Sequence, residues 1–169
     1  MPKPNSSTLT YEQVSELLSY DPLTGDILWK KSGRGRRNNR HAGTIDVRGC
    51  WCIGIGRPRY KAHRIAWLLA YGVWPEHEID HINGNPADNR LVNLRDVPHR
   101  TNQQNQHRAT SNNKSTGTLG VSRTHNRTKF VAQIKVSGKH LHLGCFDDVA
   151  AAHAAYLEAK RRLHEGNML

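Results

Sequence analysis

Short apolar stripes, never one long apolar run, organise this chain. Val14, Leu17 and Leu18 recur at helical spacing behind Thr10-Tyr11-Glu12-Gln13, a capping box that predicts a short first helix. Tyr20-Asp21-Pro22-Leu23-Thr24-Gly25 reads as a turn into a strand from Asp26 to Lys30. Alternation returns between Gly43 and Ile55, and Gly56-Arg57-Pro58-Arg59 is a tight basic turn between two strands. From His63 to Tyr71 the period becomes helical, with Ile65, Leu68 and Leu69 apolar and Gly72 as the stop. Ile79-Asp80-His81-Ile82 is a strand that runs into the turn-rich Asn83-Gly84-Asn85-Pro86, and Leu91-Val92-Asn93-Leu94-Arg95 predicts the returning strand. Pro98 suits the first turn of a helix that carries Asn102.

Residues 109–117, rich in Ser and Asn, predict a linker, and 118–169 form a second unit of three strands and a helix. Its strands start at Gly120-Val121-Ser122-Arg123, Phe130 and Lys139, with Ser137-Gly138 as the hairpin turn between the last two. Asp147 is placed to cap the helix, whose inward stripe is Ala152, Ala155, Tyr156, Ala159 and Leu163, with Gly166 beyond its end. Lys160, Arg161 and Arg162 fit the negative end of the helix dipole. The expected organisation is therefore a disordered N-terminus over 1–9, a first domain over 10–108, the linker, and the second domain, in an α+β fold of small antiparallel sheets.

Charge narrows the partners. The formal net charge is +11 and the pI about 10, which points to a polyanion. Between Ile27 and Pro75 the single acid is Asp46 against eleven Lys and Arg, and between Asp96 and Asp147 there is no acid against eight. The basic loop with Arg34, Arg36, Arg37 and Arg40, the turn with Arg57 and Arg59, and Arg64 at a helix start are candidate phosphate contacts. Cys50, Cys52 and Cys145 form neither a disulfide framework nor a zinc-ribbon pattern and suit a reducing cytoplasm. With no apolar h-region and no run of membrane length, the expected location is the cytoplasm.

Residue chemistry concentrates at Asp80 to Asn102. Hydrolysing a phosphodiester needs a base for the attacking water and stabilisation of the oxygens that gain negative charge, usually by a hard cation with oxygen ligands. His81 can accept the proton, Asp80 offers a carboxylate oxygen and Asn102 could offer an amide oxygen, a set that suits one Mg²⁺ or Mn²⁺ better than zinc. His63, beside Arg64 at a helix start, reads as a structural or backbone-binding histidine.

Asp80-His81-Ile82-Asn83-Gly84-Asn85, Asp88-Asn89-Arg90, Asn93-Leu94-Arg95 and Asn102 together resemble the HNH endonucleases of the ββα-metal type, most closely the phage homing endonucleases. The Asp-Pro-x-Thr-Gly turn followed by Trp29-Lys30 fits the same family. The resemblance implies a catalytic pair in which His81 is the general base and Asn93 braces its loop, and a metal held by Asp80 and Asn102. The second unit resembles the AP2/ERF DNA-binding domain through Gly120-Val121, Phe130-x-Ala132-x-Ile134, Leu143-Gly144-x-Phe146-Asp147 and the Ala-Ala-x-x-Ala-Tyr helix. That family lays its sheet in the major groove, which implies Arg123, Arg127, Lys129, Gln133, Lys135 and Lys139 as double-stranded DNA contacts. Phe130 stands where that family usually has tryptophan, so aromatic packing remains without the indole N–H.

The expected function is thus a metal-dependent homing-type DNA endonuclease with a C-terminal targeting domain. Its rival is a non-catalytic sequence-specific DNA-binding regulator with a vestigial HNH fold; a nonspecific or RNA-directed nuclease is a weaker alternative.

Overall fold

The computed structural model describes residues 9–33, 40–47, 49–106, 109 and 113–164. The chain divides into two compact units, Met1–Val97 and Pro98–Leu169. Residues 1–8 of the expected N-terminal tail, Arg34, Arg36, Arg37 and Gly166 lie outside the described residues. Among the described residues no helix is long and apolar enough to cross a membrane.

The first unit opens with helix α1 (Tyr11–Leu17), whose capping box is complete: Thr10 Oγ1 accepts the Gln13 N–H and Gln13 Oε1 accepts the Thr10 N–H at 3.0 Å. Leu9 is packed rather than loose, its carbonyl accepting the Trp74 indole N–H at 2.8 Å. Strands β1 (Leu18–Tyr20) and β2 (Ile27–Trp29) form an antiparallel hairpin. Strands β3 (Thr44–Ile45), β4 (Trp51–Gly54) and β5 (Arg59–Lys61) form a second antiparallel sheet. Asp46, the sole acid of this basic stretch, accepts from the Cys50 N–H and pairs with Lys61, so its charge is spent locally.

Helix α2 (Ala62–Tyr71) follows, and Gly72, at φ +76°, ends it by turning its N–H onto the Leu68 carbonyl. Its stripe of Ile65, Ala66 and Leu68 meets Val14, Leu18 and Ile53 in one core. Each fully buried aliphatic side chain there stabilises the unit by roughly 1.5–3 kcal/mol. Strands β6 (Glu78–His81) and β7 (Leu94–Val97) pair antiparallel, with Asp80 opposite Arg95 and His81 opposite Leu94.

The returning strand starts later than the apolar run suggests. Leu91–Asn93 is a single 3-10 turn, and Val92 is 78% exposed. The cause is Asn93, whose side chain bonds to the loop between the strands and so cannot continue the alternation.

In the second unit, helix α3 (His99–Gln104) precedes the residues expected as linker. Strands β8 (Val121–Arg123), β9 (Phe130–Val136) and β10 (Lys139–Phe146) form an antiparallel sheet in the order β10-β9-β8, with a register shift between His142 and Gly144. Helix α4 (Val149–Leu163) lies on that sheet through Ala152 and Tyr156. Its cap is Asp148 and not Asp147: the extended backbone of Asp148 (φ −133°, ψ 161°) aims its carboxylate at the Ala151 N–H, 2.8 Å away. Asp147 instead pairs with Lys129 at 3.1 Å.

Lys160 lies in the last turn of α4 as expected, and there it is fully buried with its ammonium donating to the Gln106 carbonyl. Burial holds its pKa below the usual lysine value. That bond, with Arg100 Nη2 donating to Ser137 Oγ at 2.8 Å, ties the α3 segment to α4 and the β9–β10 turn.

Gly120 faces the Tyr156 ring at φ +74°, and a Cβ there would lie only 2.0 Å from the ring carbon Cδ2. Gly138, at φ +84°, has open space around it. Thermal denaturation should show Gly138→Ala costing about 1–2 kcal/mol for its left-handed backbone alone. Gly120→Ala should cost about 3 kcal/mol or more, because the ring must also move. Equal losses for the two would mean that the ring yields without cost.

Candidate active site

His81 is the last residue of β6, and Asp80 precedes it; both are buried. The pair falls where the ladder ends, so the turn beginning at Ile82 is free to shape what lies around the imidazole. That turn is fixed by polar side chains. Asn93 Oδ1 accepts the Asn83 N–H at 2.9 Å, Asn93 Nδ2 donates to the Asp88 carbonyl at 2.8 Å, and the Asn93 carbonyl accepts the Ile82 N–H at 2.9 Å. A buried asparagine is suited to this because its amide both donates and accepts. Gly84, at φ +69°, lets the chain bend back so that its N–H reaches the His81 carbonyl.

A charged clip closes the outer side of the loop. Arg90 donates through Nε and Nη2 to the two oxygens of Asp88, at 2.8 and 2.6 Å, and Asn83 Nδ2 donates to the same carboxylate. Arg90 first, and Asn83 after it, hold the Asp88 pKa at about 2.

Asn89 and His63 also bear on His81. Its Nε2 lies 3.3 Å from Asn89 Oδ1, and its ring meets that of His63, on the first turn of α2, edge-on at 5.0 Å between centroids. Burial lowers the His81 pKa, against the opposing pull of the Asn89 bond and of Asp80. His63 is pushed down to about 3 by burial, with the nearby His81, Arg64 and Lys61 acting the same way. At neutral pH both imidazoles are uncharged, the form in which a histidine can accept a proton.

Asp80 is held by Arg95, its partner across the hairpin, whose Nε and Nη2 both donate to Oδ2 at 2.9 and 2.7 Å. Among the described residues no cluster of three or more His, Cys, Asp or Glu side chains could hold a metal ion. A carboxylate together with neutral oxygen donors, such as an amide and water, suits a hard divalent ion. Asn102, the second proposed ligand, lies on α3 in the second unit.

The candidate DNA contacts fall in several places. Arg40, Arg57 and Arg59 are exposed, and Arg59 donates to Thr44 Oγ1. Arg64 is tied down by the His77 carbonyl at 3.0 Å and by the Trp74 ring face at 5.9 Å. In the second unit Gln133 and Lys135 are exposed, alternating with the buried Ala132 and Ile134. Arg127 adopts φ +58° in the β8–β9 turn, the Arg123 guanidinium lies 4.9 Å from the Phe130 ring centre, Lys129 pairs with Asp147, and Lys139 is exposed.

Two exposed histidines were not singled out from the sequence. His140 and His142 are exposed on β10 opposite Lys135 and Gln133, and the alternation of Lys139 to Leu143 was the signal for them. Asn89, quoted from the sequence only as part of Asp88-Asn89-Arg90, bonds to the His81 ring, and His63, read as a structural histidine, lies edge-on against it.

Residues 60–104 match the family model described as HNH endonuclease, a segment from β5 to the end of α3. A solved structure of DNA binding and cleavage by the HNH homing endonuclease I-HmuI is similar at 21% identity, with 88% of each chain covered and a TM-score of 0.39. No curated protein sequence matches the chain.

The low pKa of His63 has a stability consequence. In the unfolded chain a histidine takes its proton near 6.5, whereas folded His63 stays neutral down to about 3. The unfolded state alone binds the proton in that window, so this contribution is complete above about 6.5 and is lost as pH falls toward 3. Melting curves from neutral to acid pH should fall less steeply for His63→Gln than for the wild type, by at most ~1.4 kcal/mol per pH unit. Parallel curves would show that His63 protonates in the fold.

Proposed function

We propose that this chain is a metal-dependent HNH DNA endonuclease of the homing type, which hydrolyses phosphodiester bonds in double-stranded DNA. The observation that carries the reading is the placement of His81. A buried, neutral imidazole stands at the end of β6 beside Asp80, in a turn braced by Asn93, within the segment that matches the HNH endonuclease family.

In this reading His81 accepts the proton of the water that attacks phosphorus in line, and Asn93 keeps the turn from carrying the imidazole away. Asp80 and Asn102 would hold one Mg²⁺ or Mn²⁺, and their oxygen-donor chemistry suits either. When bound, such an ion supplies charge stabilisation for the phosphate and the leaving 3′ oxygen. The products carry a 5′ phosphate and a 3′ hydroxyl. One site per chain cuts one strand per encounter, so a double-strand break takes a dimer or a second visit.

The second unit serves in this reading as an AP2-like targeting module. Its support is an acid-free run of basic residues between Asp96 and Asp147 and the exposed Gln133 and Lys135 on the sheet face away from α4. Arg123 and Lys139 add charge at the strand ends.

The Arg95–Asp80 pair favours a second reading, a DNA-binding regulator without activity. A guanidinium on the ligand carboxylate competes with a cation for the same oxygens.

Asp80→Ala separates the two. Titration of duplex DNA at fixed salt should show binding close to wild type, while nicking that depends on Mg²⁺ or Mn²⁺ disappears. Nicking at the wild-type rate would remove Asp80 from the metal site. For the targeting surface, replacing Arg123 and Lys135 by Ala should reduce the slope of log K against log salt by ~0.9 for each phosphate no longer neutralised. An unchanged slope would take both residues off the DNA.

A further inference from the structure

Asn89 stands outside the His81, Asn93, Asp80 and Asn102 set, yet its side chain makes a direct hydrogen bond to the His81 ring. It is 6% exposed, with Oδ1 3.3 Å from His81 Nε2, and its Nδ2 donates to the Ala87 carbonyl at 3.5 Å. The Ala87 carbonyl can only accept, which fixes the orientation of the amide and turns its oxygen toward the histidine. An amide oxygen also only accepts, so the ring nitrogen facing it must carry hydrogen. A neutral imidazole has one N–H, and its lone pair then lies on Nδ1.

A distant part of the first unit fixes where Asn89 sits. The Tyr20 hydroxyl donates to the Asn89 carbonyl at 2.8 Å, and the Leu91 N–H donates to the Pro22 carbonyl at 3.0 Å. Between them Gly25, at φ +83°, packs so closely that a Cβ would lie 2.7 Å from the Asn89 carbonyl carbon and 2.6 Å from the Arg90 nitrogen. The turn joining β1 to β2 therefore clamps the backbone of Asn89 from the far side of the loop. This turn reads from sequence as a simple one, and it is the missing side chain of Gly25 that makes the close approach possible.

We propose that Asn89 is a positioning residue that selects the Nε2-protonated tautomer of His81, with Tyr20 and Gly25 as its brace, so that Nδ1 is the nitrogen that accepts the proton from water. The assignment of a role to Nδ1 rests on the reading of His81 as the base; the tautomer does not.

The test reads the tautomer without any cleavage. Full-length protein with ¹⁵N-labelled histidine is examined by long-range ¹H–¹⁵N NMR above the histidine titration range, with His81 assigned by its loss in His81→Gln. Wild type should show Nε2–H. Asn89→Asp, whose carboxylate accepts the same bond, should keep it. Asn89→Leu, which removes the acceptor at similar volume, should shift the ring toward Nδ1–H, and Tyr20→Phe, which deletes one hydroxyl, should shift it part of the way. In nicking assays Asn89→Leu should lower kcat on the order of 10²-fold with little change in KM, and Asn89→Asp should recover most of the loss. Nδ1–H in the wild type overturns the proposal, as does an unchanged tautomer in a folded Asn89→Leu protein. Should Asn89→Leu fail to fold, Tyr20→Phe decides by the same shift or its absence. A protein that shows the expected tautomers but never nicks DNA overturns the nuclease reading and leaves the positioning role standing.

Discussion

The hydrogen bonds of one buried asparagine govern the shape of the candidate site. Asn93 joins the Asn83 N–H to the Asp88 carbonyl through its side chain and takes the Ile82 N–H on its own carbonyl. Without it two part-buried backbone groups would lose their partners, at a cost of at most about 1–3 kcal/mol each. The loop from Ile82 to Asn93 contains no regular secondary structure before its 3-10 turn, so side-chain bonds replace the ladder that a longer hairpin would supply. Asp88, clipped by Arg90, and Gly84 complete that frame.

The frame explains how polar groups come to be buried in so small a unit. Asp80, His81, Asn89 and Asn93 are all at most 8% exposed, a burial that is unfavourable unless each is bonded. Asp80 has Arg95, His81 has Asn89, and Asn89 in turn is fixed by Ala87 and Tyr20. The apolar core of α1, α2 and β4 lies beneath this layer and gives it a rigid base. A neutral imidazole held at a strand end by such a layer is prepared to take a proton, since burial disfavours its charged form until a substrate changes the surroundings.

Much of the fold could be read from the chain alone. The capping box at Thr10, the stop at Gly72 and the alternation of Phe130 to Val136 are local signals, and local forces decide those elements. The errors have a common origin in competition between neighbours. Asn93 ends an alternating run because its amide is used elsewhere, and Asp148 outcompetes Asp147 because its backbone is extended. Lys160 keeps its expected place among the helix-end cations, while its burial against the Gln106 carbonyl is a long-range contact with no local signal. For the candidate site, residue types drew attention to Asp80, His81 and Asn93. The contacts of Asn89 and Tyr20 stayed illegible because they join segments 8 and 69 residues apart.

The proposed function rests on the His81 imidazole taking the proton in DNA strand cleavage. The most direct measurement is conversion of supercoiled plasmid to nicked circle with Mg²⁺ or Mn²⁺ present, for wild type and His81→Ala side by side at equal DNA occupancy. The wild type should nick, and the variant should lose at least ~10²-fold. Equal nicking by the two proteins, or none by the wild type, would contradict it.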